Sequence, residues 1–134
     1  MIDYQGQDYQ EVIGQQGLVV VQYFATWCGP CKMLKPVLES VATEMPETKF
    51  YRLDIDLYRN QAIEAGIRSV PTVVLYKDGE EVDRQSGYQP KERISSFTNS
   101  ASIFSSTRSL KNGFWRGKMA TDMTKFRALS MLLN

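Results

Sequence analysis

The 134-residue chain has no histidine and only two cysteines. A tetrahedral zinc site built from Cys and His needs four ligands, so one chain cannot form it from these two. No apolar run is long enough to span a bilayer, and no positively charged start leads into an apolar stretch and a small-residue cleavage site. The cytoplasm is therefore the default compartment. Internal repeats and phosphate-cradling glycine motifs are also lacking. Net charge is only +1, but it is unevenly spread. Residues 1–100 hold ten Lys and Arg against fourteen Asp and Glu, a net of −4, while residues 101–134 hold six against one, a net of +5. Such asymmetry points to a body of residues 1–100 with a basic C-terminal extension over 101–134, which docks on the acidic body or meets an anionic partner. With 43% hydrophobic and 11% aromatic residues, the chain suits one domain with a real core and is not disordered throughout.

What the chain does contain is Trp27-Cys28-Gly29-Pro30-Cys31-Lys32, directly after the run Leu18-Val19-Val20-Val21-Gln22-Tyr23-Phe24-Ala25. That run, rich in β-branched and aromatic residues, reads as a buried central strand, whereas the apolar positions over 33–42 recur at helical spacing. Cys28 thus sits where a strand hands over to a helix. Free N–H groups and the positive end of the helix dipole favour an anion there, so its thiol should ionise more readily than a free cysteine. Pro30 sets φ for an early helical position, and Gly29 leaves the approach to Cys28 clear of a side chain. Cys31, one turn on, can reach back to the same sulfur. A purely structural disulfide is the plain alternative, but closing a two-residue loop gains little, and redox cycling fits better. A reducing cytoplasm suits a pair that must be recharged with electrons.

Elsewhere strand and helix alternate. Ile2-Asp3-Tyr4 reads as a short strand, and residues 8–13 as a short helix ended at Gly14 or Gly17. Residues 49–56 alternate like a strand, and 60–65 form a helix closed by Gly66. Residues 72–77, the turn Asp78-Gly79 and residues 80–85 make a hairpin, and residues 91–99 form a last helix just after Pro90. The order is that of βαβ units with a parallel core. Pro36 falls inside the long helix and should bend it. Taken alone, Pro71 at the opening of a strand would be trans by frequency.

The segments Phe24-Ala25-Thr26-Trp27-Cys28-Gly29-Pro30-Cys31-Lys32-Met33 and Ile67-Arg68-Ser69-Val70-Pro71-Thr72-Val73-Val74-Leu75-Tyr76-Lys77-Asp78-Gly79, followed by Gly87, resemble the thioredoxin family from about Gln7 to about Ser100. The resemblance implies an α/β thioredoxin fold, a central mixed β-sheet with helices on both faces. It also implies a protein-disulfide reductase in which Cys28 attacks a target disulfide and Cys31 resolves the mixed disulfide, the redox-active pair being Cys28-Cys31. Gln22, Gly29, Pro30, Lys32, Arg52 and Pro71 make up the surroundings of the pair. Trp27, Val70, Pro71, Gly87 and Tyr88 match positions lining the family's peptide groove. Pro71 would be cis there, block stray metal or disulfide chemistry, and leave the residue before it to pair with substrate backbone. No cofactor is implied; the partners are disulfide-bearing proteins and a thioredoxin reductase, a flavoprotein that donates electrons.

Three positions depart from the family's habits. Gln22 stands where a buried aspartate usually takes and returns the Cys31 proton, and an amide cannot do so. Burying a neutral amide also avoids the desolvation cost of a carboxylate, so the change is either stabilising or functional, the latter slowing resolution by Cys31. Arg52 replaces a lysine often paired with that aspartate, and Tyr88 stands where a small residue is common.

Ser105-Ser106-Thr107 and Asn112-Gly113 punctuate a polar connector, and apolar residues over 118–133 follow a partly helical rhythm among Lys118, Lys125 and Arg127. A basic amphipathic helix binding a protein partner or an anionic surface is one reading, and an extension packed on the domain or simply frayed is the other. Trp115-Arg116-Gly117-Lys118 is too short a patch to argue for nucleic acid. Against the enzyme stands a second class of function, a thioredoxin-fold binding module that clamps a partner through the same groove.

Overall fold

The computed structural model describes residues 1–108 of the protein, and residues 1–102 form one compact unit. Its elements run β1 (Ile2–Asp3), α1 (Tyr9–Ile13), β2 (Leu18–Phe24), α2 (Gly29–Glu44), β3 (Lys49–Asp54), α3 (Arg59–Glu64), β4 (Thr72–Lys77), β5 (Glu80–Ser86) and α4 (Lys91–Arg108). One sheet holds all five strands in the order β1-β3-β2-β4-β5. β1, β3 and β2 are parallel, while β4 and β5 run antiparallel to their neighbours. This is the mixed sheet that the alternating pattern and the resemblance lead one to expect.

β2 is central because nearly all its residues are apolar and buried on both sides. Val19, Val21 and Tyr23 point to one face, where Tyr9 and Val12 of α1 cover them. Leu18 and Val20 point to the other, under Leu34, Leu38 and Val41 of α2 and Ile94 of α4. Those α2 positions recur every three or four residues, which makes one apolar stripe along the helix. Pro36 lies inside α2 on its exposed side, where the lost N–H bond disturbs no core contact.

Local chemistry sets the ends. The Asp8 carboxylate accepts from Gln10 N and Glu11 N at 3.0 and 3.4 Å and so caps α1, which stops at Gly14. Asp78 and Gly79, with φ of 52° and 86°, form the tight turn between β4 and β5, as the Asp-Gly pair predicts. α4 runs further than its apolar spacing indicates. Ser105-Ser106-Thr107, read above as part of a connector, lie within this helix rather than after it. The turn at Asn112-Gly113, the patch at 115–118 and the basic amphipathic helix over 118–133 lie outside the described residues. Among the described residues no helix is long and apolar enough to cross a membrane.

Candidate active site

The central strand delivers the cysteines. After Phe24 the chain turns through Ala25, Thr26 and Trp27, and Cys28 becomes the N-cap of α2 with Pro30 in its first turn. Cys28 and Cys31 are joined as a disulfide, with Cα atoms 5.3 Å apart. The two sulfurs are not equivalent. Cys28 Sγ accepts a hydrogen bond from the backbone N–H of Cys31 at 3.1 Å, while Cys31 Sγ has no such donor among the described residues. Cys28 is 4% exposed and Cys31 1%, so Cys28 lies nearer the rim. A Cβ on Gly29 would meet no atom within 4 Å, so glycine is required there by neither packing nor φ, and its bare side faces outward. Lys32 is exposed, and its N–H donates to the Cys28 carbonyl at 3.3 Å.

Phe24, Ile55 and Val70 pack with Ala25 around the pair. The Val70-Pro71 peptide bond is cis, as the resemblance implies rather than as frequency alone would have it. Gly87 N donates to the Pro71 carbonyl at 2.8 Å, with Gly87 at a φ of 87° that only glycine adopts freely. Thr72 Oγ1 donates to the Ser69 carbonyl at 2.7 Å, which fixes the turn before this proline. Val70, Pro71 and Gly87 are thus tied together beside the cysteines. Tyr88 follows them and is 39% exposed. Trp27 is 69% exposed, and its indole N–H donates to Asp56 Oδ2 at 2.9 Å.

Gln22 is wholly buried beneath the pair, and its Nε2 donates to the Cys31 carbonyl at 3.3 Å. Its Oε1 has no partner among the described residues. Arg52 is the register partner of Gln22 on β3, yet its guanidinium does not bond to it. Instead the group lies 3.8 Å from the centre of the Phe24 ring and donates to Asp3 at 3.3 Å. Arg52, Phe24 and Asp3 also line a cleft of about 420 Å³, shared with Tyr4, Asp54 and Leu57, which neither cysteine lines.

The family model for thioredoxin matches residues 1–100. Thioredoxin of Chlamydia muridarum is 50% identical over 78 residues, covering 58% of this chain and 76% of that protein. Thioredoxin-1 of Saccharomyces cerevisiae is 40% identical over 83 residues, covering 62% and 81%. Among solved structures, a single-residue variant of Halobacterium salinarum thioredoxin superposes with a TM-score of 0.68 at 34% identity, covering 75% of this chain and 89% of that one. The chain belongs to the thioredoxin family. With the bonded Cys28-Cys31 pair at the start of α2, membership makes it a thiol–disulfide oxidoreductase. Disulfide-bearing proteins and a reductase are the partners that thioredoxins share.

Sequence reasoning missed two members of this thioredoxin-family site. Asp56 anchors Trp27, and Asp54 Oδ1 accepts from Asp56 N and Leu57 N at 2.9 and 3.4 Å, shaping the loop that presents Asp56. The clue was an Asp-x-Asp at a strand end, where such side chains bond to the backbone two residues on. Nothing in the sequence linked that loop to Trp27, which is 29 positions away.

Proposed function

We propose that this thioredoxin-family chain is a protein-disulfide reductase of the cytoplasm in which Cys28 is the nucleophile and Cys31 the resolving thiol. One observation carries the assignment: Cys28 Sγ accepts the Cys31 N–H at the N-cap of a 16-residue helix. Backbone N–H groups and the helix dipole favour negative charge on that sulfur, and an ionised sulfur is both the better-populated nucleophile and the better leaving group at neutral pH. The Cys28 thiolate attacks a target disulfide, one target sulfur leaves, and a mixed disulfide forms. Cys31 then attacks Cys28 Sγ, and the second target sulfur leaves as a thiolate that takes a proton from solvent. Two electrons pass to the target, and a thioredoxin reductase returns them to the Cys28-Cys31 disulfide.

Val70, Pro71 and Gly87 supply the groove beside Cys28, with Trp27 and Tyr88 as its exposed apolar rims. Gly29, Pro30 and Lys32 shape the turn that presents the sulfur. Gln22 holds the Cys31 segment without offering a carboxylate, which slows resolution and lengthens the life of the mixed disulfide.

Insulin reduction in the presence of dithiothreitol tests the assignment. The unmodified chain turns over, Cys28→Ser loses at least about 10³-fold because the nucleophile is gone, and Cys31→Ser stalls after one covalent mixed disulfide at Cys28. Turnover retained by Cys28→Ser would remove the assignment. Partner binding that survives replacement of both cysteines, with no reduction by the unmodified chain, would instead favour the binding module.

A further inference from the structure

The segment carrying Val70 and Pro71 runs from the end of α3 to the start of β4, and both its ends are fastened to the edge strand β5 or the residue after it. At the far end Gly87 N donates to the Pro71 carbonyl at 2.8 Å, and the Thr72 and Ser86 hydroxyls are bonded at 3.3 Å. At the near end the fastening is one side chain. Arg84 Nη2 donates to the Ala65 carbonyl at 2.8 Å and Nη1 to the Gly66 carbonyl at 3.4 Å, across 19 and 18 positions of sequence. α3 has six residues and no basic group in its last turn. The N–H groups of Ala65, Gly66 and Ile67 take the carbonyls of Gln61, Ile63 and Ala62, so those of Ala65 and Gly66 lie beyond the helix's own bonds. A cation from another element completes the helix end.

The guanidinium is itself held. Arg84 Nε and Nη2 donate to the two carboxylate oxygens of Glu81 at 2.7 and 2.8 Å. Residues three apart on a regular strand point to opposite faces. Here the pairing with β4 shifts by one residue between Leu75, opposite Asp83, and Tyr76, opposite Glu81, so Val82 is extra and the strand bulges. The bulge turns Glu81 to the face of Arg84, and their register partners Tyr76 and Val74 both belong to the tyrosine face, as do Ala65 and Ile67. One inserted residue thus aims a carboxylate at the guanidinium and the guanidinium at the end of α3.

We propose that Glu81 and Arg84 form a clamp that positions the Val70-Pro71 segment and so governs how tightly protein substrates bind, on the reading that this segment lines the groove. Only four residues, Ile67 to Val70, lie between the fastened Gly66 and Pro71. Ile67 packs on the tyrosine face and Val70 beside the cysteines, whereas Arg68 and Ser69 are exposed and have little packing to place them. A shift at Gly66 therefore passes to Val70 over a short span, and small misplacements of a binding segment are costly. Both clamp side chains are partly exposed, so their mutual attraction is screened, and the clamp acts through the two carbonyl bonds rather than through the ion pair. Arg84 and Glu81 are positioning residues, since neither packs with the cysteines.

Two substrates of the full chain separate positioning from chemistry: insulin, whose backbone can lie in the groove, and hydroxyethyl disulfide, which has no peptide to place there. Arg84→Met should raise KM for insulin about fivefold with kcat within about twofold, and leave the rate of the reduced chain toward hydroxyethyl disulfide within about twofold. KM does not depend on how much of the enzyme is folded, so lost stability alone would not reproduce this. Arg84→Lys should recover only part of the change, because an ammonium lacks the planar fork that serves Glu81 and both carbonyls at once. Glu81→Gln should raise KM by about twofold in the same direction and carries the test if Arg84→Met fails to fold. An unmoved KM for insulin in these variants, or equal slowing toward both substrates, would overturn the proposal. If the unmodified chain reduced hydroxyethyl disulfide but showed no saturable binding of insulin, the reading of the groove would fail instead.

Discussion

The two faces of the sheet are built from different materials. One is rich in tyrosine: Tyr4, Tyr9, Tyr23, Tyr51 and Tyr76 are buried with Val12, Val19, Val21, Leu53 and Val74. The Tyr23 hydroxyl bonds to Tyr9 Oη and, at 3.0 Å, to Tyr76 Oη, while Tyr4 meets Tyr9 and Tyr58 edge-on with ring centres 6.1 and 4.8 Å away. The other face is mostly aliphatic, with Leu34, Leu38 and Val41 of α2 against Val20, Val73 and Leu75. On the first face buried polarity is closed on itself, because each hydroxyl in the Tyr9-Tyr23-Tyr76 chain has a partner. On the second, Thr98 of α4 closes its hydroxyl onto its own helix, and Gln22 beneath the cysteines keeps one amide oxygen without a partner among the described residues. Reactive chemistry sits where an aliphatic stripe fixes a helix and leaves few competing charges. The tyrosine face contributes order and no reactive group.

That contrast can be broken by substitution. The largest effect is expected from Leu38→Ala: a fully buried side chain is lost from the stripe that seats α2, and chemical denaturation should show about 2–5 kcal/mol lower stability. Reduction by the folded fraction should stay near normal. Tyr23→Phe keeps the ring but strips the shared hydroxyl from Tyr9 and Tyr76, for about 1–3 kcal/mol. The same residue gives the sign of a pH effect. Burial pushes the Tyr9 and Tyr23 hydroxyls above their ordinary value of 10, so above about pH 10 the unfolded chain loses these protons while the folded one keeps them. Stability is then full below about pH 10 and falls as pH rises further. Thermal melts across that range should show a shallower fall in Tyr23→Phe, and an identical fall would mean that the tyrosine chain does not govern it.

Smaller effects belong to the cysteine end of the aliphatic face and to its rim. Gln22→Asp should speed resolution about tenfold in single-turnover kinetics, because a carboxylate beneath Cys31 can take its proton where an amide cannot. No change in rate would make the amide merely a stabilising replacement. Smallest is Asp56→Ala, which frees the exposed Trp27 indole for about 1 kcal/mol and should raise KM for a protein disulfide about fivefold with little change in kcat. A loss in kcat alone would place Trp27 in the chemistry rather than in substrate contact.

Much of this was legible in the chain. The continuous apolar run over 18–25 reads as a central strand because both its sides must be covered, and β2 is buried on both. Asp78-Gly79 announces its turn because few other residues adopt positive φ twice in succession. The Cys28-Cys31 spacing, set between a strand and a helix, gives the reactive pair. The end of α4 was not legible, since serine and threonine over 105–107 favour turns in isolation and the helix carries them all the same. Nor was the conformation of Arg52, whose pairing with Asp3 and Phe24 depends on the parallel contact of β1 with β3.

By itself the sequence determined that two sulfurs, three residues apart, meet at the start of a helix, because spacing and periodicity are local properties. Only the tertiary structure decided that Gln22 lies beneath Cys31 with an acceptor that has no partner among the described residues, and that Asp56 holds Trp27. These are distances between residues remote in the chain, and they exist only once the sheet has set its register.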